Sequence, residues 1–279
     1  MLQQDLQAIY RWAAEVNMLF NGDKFELLRF RPGTTKPDHN YKDPEGTLIV
    51  EKEHLRDLGV EISNDLSFSI HIENIVSSAN RMVGWVMRTF RRRSKMLMLT
   101  LWKTLIQSKL DYCSQLWSPN SQAAISKLEG VARSFTARVN GMEGLDYWER
   151  LAKLGMYSQE RRRERYQIIF IWKLSRGMVG GFNLPFQNSE RRGTTVLVPP
   201  MATSSPAAVR RAKEASLQVK GARLYNLIPK DLRDMKGSLE TFKSGLDTWL
   251  SGIPDQPTTD GRQRAALSNS IIDQVVYNH

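Results

Sequence analysis

The apolar residues between Ile72 and Phe90 recur three and four apart: Ile72, Ile75/Val76, Ala79, Met82/Val83, Val86, Phe90. That spacing predicts one amphipathic helix over about residues 70–90. At about 1.5 Å per residue it would be close to 30 Å long. Just before it, Leu58, Val60 and Ile62 alternate with polar or small residues, which predicts a half-buried strand. Just after it, Met96 to Ile106 forms a second apolar run that leads into the aromatic-rich stretch Leu110 to Trp117. Between Asn74 and Leu110 there is no acidic residue, while Arg81, Arg88, Arg91, Arg92, Arg93, Lys95, Lys103 and Lys109 all fall inside.

A formal net charge of +11 points to a polyanionic partner, either nucleic acid or an anionic surface. With 279 residues the chain is long enough for one large or two modest domains. No apolar run reaches the length of a spanning helix, and the N-terminus lacks a signal-peptide layout, so a soluble chain with no membrane partner is expected. Cys113 is the sole cysteine, so no internal disulfide can form. His39, His54, His71 and His279 are scattered, which argues against a structural zinc site.

In chain order, Leu2, Leu6, Ile9, Trp12/Ala13 and Val16 predict an amphipathic first helix, whose apolar side would be sticky if left without partners. Asn21-Gly22 marks a turn and Lys24–Arg31 reads as a strand closed by Pro32-Gly33. After a loop over 32–46, Thr47–Val50 is expected to pair with a strand at Arg56–Ile62. Ser94 is expected to cap a helix running to about Lys109. Further helices are predicted over Gln122–Arg138, Tyr147–Leu154 (stopped by Gly155) and from Ser158 to Gly177. Residues 180–216 read as a flexible linker, Leu217–Ile228 and Leu239–Leu250 as helices, and Pro254 onward as a polar tail. The fold class expected is mostly α with a small N-terminal α+β piece, divided as 1–69, 70–179, 180–216 and 217–279.

Several stretches resemble the later part of the reverse transcriptases of jockey-like non-LTR retrotransposons. They are Trp12 with Asn17 to Lys24, Leu58-Gly59-Val60-Glu61-Ile62-Ser63, Ala79 with Gly84-Trp85, Arg88 and Phe90, and Leu105 to Cys113. Leu224 to Pro229 and Phe242 to Asp255 complete the set. The resemblance implies the end of a palm, a primer-grip-like strand at Leu58, Gly59 and Val60, a helical thumb and a C-terminal extension. It also implies that Lys24 lies near an incoming triphosphate, where a cation can assist the leaving group. The departure is that no Asp-Asp pair occurs anywhere. Two-metal phosphoryl transfer needs such carboxylates, so magnesium and polymerase activity are expected only of a longer enzyme that supplies them, and this chain alone is expected to be inactive.

Arg81, Arg88, Arg91, Arg92, Arg93 and Lys95 are the candidate phosphate-binding residues, since cations on one helix face give affinity without sequence choice. Trp85, Phe90 and Trp102 interleave with them and could stack on bases or serve as core. Lys24 has a plain alternative as a solvated strand-end lysine, and Gly59 as a strand bulge. Arg161-Arg162-Arg163 with Arg165, interrupted by Glu160 and Glu164, reads as an exposed, ion-paired helix start, and Cys113 as a buried structural thiol. The expected partners are RNA or an RNA–DNA duplex, together with an upstream polymerase half, inside the cell in nucleus or cytoplasm. Two competing readings are a non-catalytic helical RNA- or DNA-binding protein derived from such an element and a basic helical protein-interaction domain.

Overall fold

The computed structural model of the protein describes residues 2–18, 20–30, 39–180, 187–191, 194–198, 210, 213–214, 216–257 and 269–277. About half of the loop expected over 32–46, much of the expected linker and part of the expected tail lie outside the described residues. The chain is mostly helical, with short strands near its N-terminus, and divides into two compact units, residues 1–71 and 72–279.

The first unit opens with α1 (Leu2–Glu15). Its inward side carries Tyr10 and Ala13, and Tyr10 meets Phe20 and Phe25 with ring centroids 5.5 and 5.1 Å away. Leu2, Ile9, Trp12 and Val16, the face expected to seek a core, are 45–58% exposed. β1 (Glu26–Leu28) is shorter than the predicted strand and pairs in parallel with β2 (Val50–Lys52). β3 (His54–Asp57) and β4 (Val60–Ser63) form an antiparallel hairpin, with His54 opposite Ser63 and Asp57 opposite Val60. This corrects two expectations. The segment ending at Val50 pairs with β1 rather than with residues 56–62, and the single strand expected through Leu58 and Gly59 is broken there by a tight turn. Leu58 and Gly59 have φ of 44° and 90°. Two successive positive φ values are what a two-residue hairpin turn of matching twist requires. Buried His71, the last residue of this unit, bonds to the hairpin, its Nδ1 accepting the Glu61 N–H at 3.2 Å.

The long stripe forms α2 (Ser69–Thr89), with Ile72, Ala79, Val83 and Val86 at 0–4% exposure. α3 (Lys95–Leu101) runs into a wide π-helical turn, Trp102–Gln107, and continues as α4 (Ser108–Asp111). Met98, Trp102, Ile106 and Leu110 stand four apart and all four are buried. In an uninterrupted α-helix a four-residue step over-rotates by about 40°, so the wide turn is what returns these side chains to one side. Trp102 then packs against Phe135, centroids 4.9 Å apart.

α5 (Ser114–Trp117), α6 (Gln122–Thr136), α7 (Tyr147–Leu154) and α8 (Gln159–Ser175) follow. Their ends carry the chemistry read from sequence: Ser158 accepts the Arg161 N–H, and Gly155 and Gly177 have φ of 68° and 66°. Asp146 and Glu149 add a reciprocal cap at the start of α7. The stretch read as a linker contains a hairpin, β5 (Gln187–Arg191) with β6 (Thr194–Val198), and the Asn226 amide bonds both the N–H and C=O of Leu197. α9 (Ala222–Leu227), α10 (Lys230–Arg233) and α11 (Leu239–Ser251) complete a core with α8. Ile168, Ile171, Trp172, Leu224, Phe242 and Leu246 fill it, and the Trp172 and Phe242 rings stack at 4.5 Å. The helices approach closely here: a Cβ at Gly245 would stand 2.7 Å from Leu232 Cδ1. The tail expected to be polar returns as α12 (Ile271–Tyr277), whose Ile271 is fully buried in the same core.

Candidate nucleic-acid interface

The inward stripe of α2 fixes what its other side must present. With Ala79, Val83 and Val86 buried, Arg81, Trp85 and Arg88 fall on the exposed side at spacings of four and three. Arg81 donates from Nη1 to Ser77 Oγ at 2.8 Å, one turn earlier. Residues 90–94 then run without helix or strand, and Arg91 and Arg92 are exposed on them. Among the described residues no salt bridge joins a carboxylate to Arg81, Arg88, Arg91 or Arg92, and the sequence holds no acidic residue from Asn74 to Leu110. Arg88, Arg91 and Arg92 thus stand together as solvated cations on one turn-and-linker segment.

Two of the six candidates are committed to the fold instead. Arg93 turns back and donates from Nη2 to the Met87 carbonyl at 3.3 Å, while its own carbonyl accepts the Asn140 N–H at 2.9 Å. Lys95 donates to the Lys153 carbonyl at 2.6 Å, and Lys153 in turn to the Gly141 carbonyl at 2.9 Å. These bonds pin the linker to the turn after α6 and to the end of α7. Of the three aromatics, Trp102 is core, its Nε1 donating to Gln107 at 2.7 Å. Phe90 is half-buried and meets Trp85 edge to face at 6.0 Å. Trp85 is 45% exposed, which leaves it as the ring of the three with a free face for a base.

The remaining candidates belong to the first unit. Lys24 ends a single helical turn, Gly22–Lys24, and is exposed. Leu58, 86% exposed, and Gly59 form the hairpin turn, so of the expected primer-grip-like strand only Val60 lies in a strand, and it is buried. The alternation read through Leu58 was real in the letters, but a positive φ at Leu58 turned that side chain outward.

The exposure expected of the Arg161–Arg165 cluster is corrected, while its ion pairing is present with distant partners. Arg161, Arg163, Glu160 and Glu164 are 0–4% exposed. Arg161 donates to the carbonyls of Ile253 (3.1 Å) and Pro254 (2.6 Å). Arg165 makes a two-pronged bond to Asp247 at 2.5 and 2.7 Å, and Arg162 reaches Asp111 at 2.9 Å. Glu164 accepts from Lys220 (3.0 Å), Ser270 (2.6 Å) and the Ile271 N–H (2.7 Å). Glu129 accepts the Tyr147 hydroxyl and the Gln159 N–H. Burial raises the Glu129 carboxyl pKa against the pull of Tyr147 and Arg163, and burial also lowers that of Arg163. Burial and Asp247 push the Tyr157 hydroxyl up to about 12. A helix that reads as surface is therefore the polar hub of the second unit. No local signal marks it, since its partners lie 30 to 107 residues away.

Cys113, expected to be buried, is exposed at a φ of 50°. Among the described residues no three of His, Cys, Asp and Glu stand close enough together to hold a metal ion. Among them, too, no helix is long and apolar enough to cross a membrane.

No family model matches the chain, and no solved structure does. A protein of Caenorhabditis elegans described only as uncharacterized is 28% identical to it over 118 residues, covering 41% of this chain and 60% of that protein. The chain thus spans about 60% of the length of the relative it matches.

Proposed function

We propose that the chain binds nucleic acid through its phosphates, as the thumb and C-terminal region of a reverse transcriptase of the non-LTR retrotransposon type. In that role it holds RNA or an RNA–DNA duplex in the nucleus or cytoplasm and carries out no chemistry by itself. The observation that supports this reading is the exposed run of Arg81, Arg88, Arg91 and Arg92 flanking a solvent-facing Trp85, with no carboxylate in the surrounding sequence to neutralise it. Cations so placed release counterions when they meet phosphates, and an exposed indole adds stacking that every base can satisfy. The identity with a reverse transcriptase rests on the sequence resemblance, and polymerisation would fall to a longer enzyme with its own carboxylates.

The test is binding of a labelled RNA–DNA primer-template across a salt series. Neutralising about four phosphates predicts a slope of log affinity against log salt near about −3.5. Replacing Arg88, Arg91 and Arg92 together by Ala should flatten that slope by about two to three. Trp85→Ala should weaken binding about tenfold and leave the slope unchanged. A chain that fails to bind at low salt, or binds with no salt dependence, would rule the reading out and favour an acidic protein partner.

A further inference from the structure

We propose that Ser94 is a phosphorylation site for a protein kinase that reads basic residues before its acceptor, and that the phosphoryl group closes the cationic surface beside it. Ser94 follows Arg91-Arg92-Arg93 directly. It is exposed, in extended backbone at φ −62°, ψ 148°, and its hydroxyl makes no capping bond to the helix it precedes. Substrate grooves of such kinases discriminate by charge, with carboxylates that pair with cations two and three residues ahead of the acceptor. Those positions here are Arg92 and Arg91, the two arginines that the fold leaves in solvent. Arg93, adjacent to the acceptor, is the one turned inward. The segment offers cations where such a groove needs them and keeps for the fold the one it does not need.

In the transfer, Ser94 Oγ attacks the γ-phosphorus of ATP and a new O–P bond forms. The bond from that phosphorus to the β,γ-bridging oxygen breaks, ADP leaves, and the hydroxyl proton passes to the kinase's carboxylate base. The product carries about −1.5 to −2 charge at neutral pH, set a few residues from the exposed cations Arg88, Arg91 and Arg92. Intramolecular pairing with those cations competes with any external phosphate. The modification itself stands on Ser94 alone, whereas its consequence rests on the nucleic-acid reading above.

The experiment uses the full chain with labelled ATP and the catalytic subunit of cyclic AMP-dependent protein kinase, followed by peptide mapping. Arg191-Arg192-Gly193-Thr194 has the same spacing, so Ser94→Ala and Thr194→Ala are run in parallel. Label on Ser94, lost in S94A, kept in T194A and reduced at least tenfold when Arg91 and Arg92 are both Ala, upholds the site. A folded chain that resists labelling at Ser94 while a peptide of residues 88–98 accepts it overturns the site. Duplex binding is then compared before and after modification. A loss of about ten- to a hundredfold, with the salt slope reduced by about two, upholds the switch. Equal binding overturns it. An unmodified chain that does not bind at all removes the nucleic-acid reading and the switch with it, while stoichiometric label on Ser94 still upholds the modification site.

Discussion

The two units of this chain solve the burial problem to very different degrees. Of 35 buried apolar side chains among the described residues, the first unit holds two, Ala13 and Val60. It also shows twelve of the seventeen large apolar residues that remain exposed. The charge balance is opposed as well: twelve acidic against eight basic residues up to His71, and 17 against 32 beyond it. The second unit has a core able to offset the entropy of ordering its chain, and the first relies on aromatic contacts and short ladders. The positive charge noted from composition is therefore a property of one unit only, the one that carries the basic linker.

The largest effect that separates the two should come from Phe242→Ala, which empties a fully buried ring site. A loss of about 3–5 kcal/mol is expected in urea unfolding followed by far-ultraviolet circular dichroism. A smaller loss would mean that the second unit repacks more freely than its stacked rings imply. Glu129→Ala should follow at about 2–3 kcal/mol, because it leaves the Tyr147 hydroxyl and the Gln159 N–H buried without their acceptor. Made in a Tyr147→Phe background it should cost less, and an undiminished loss would sink the Tyr147–Glu129 bond as its source. Tyr10→Ala should cost about 1–2 kcal/mol, read as faster amide exchange of α1 and β1 with α8 unchanged. Equal acceleration in both units would show them to be one cooperative body.

Acid should act next, and locally. Burial lowers the His71 pKa below its ordinary value, so the unfolded chain binds more protons than the folded one between the two values. The contribution of His71 is thus intact above about pH 6.5 and is lost as pH falls through the lowered folded value. Exchange of the Glu61 amide, which His71 accepts, should rise in that window, and His71→Asn should abolish the rise. The smallest effect is expected from Leu58→Asn, which puts a residue suited to positive φ into the hairpin turn. It should be neutral or stabilise by about 0.5 kcal/mol, with duplex binding unaltered if Leu58 is only a turn residue.

What was legible in the letters was whatever local periodicity decides. The stripe from Ile72 to Val86, the stops at Gly155 and Gly177 and the cap at Ser158 all depend on neighbours within a turn of helix. The hairpin turn was not legible, because Leu58 is a poor choice for positive φ and signals strand by its apolarity. α8 was misjudged because four arginines beside glutamates look the same in water and in a buried network; only Asp111, Asp247 and Lys220, far along the chain, tell them apart. Ile271 escaped notice as a short apolar run among polar residues. Within the basic segment, residue type picked out the right stretch, but only geometry divides Arg91 and Arg92 from Arg93 and Lys95.

The wide turn at Trp102–Gln107 leaves the chain with a residue to spare. Removing one exposed position there, such as Thr104, would bring Met98, Trp102, Ile106 and Leu110 to spacings of four, three and four, the stripe of an ordinary α-helix. Both flanks would keep their facing. A loss of one codon at this point should therefore pass almost unnoticed, whereas the same loss in the middle of α6 would swing every later side chain of that helix by about 100°. Within the helices from α2 to α6, chain length should be free to drift by one at this turn alone.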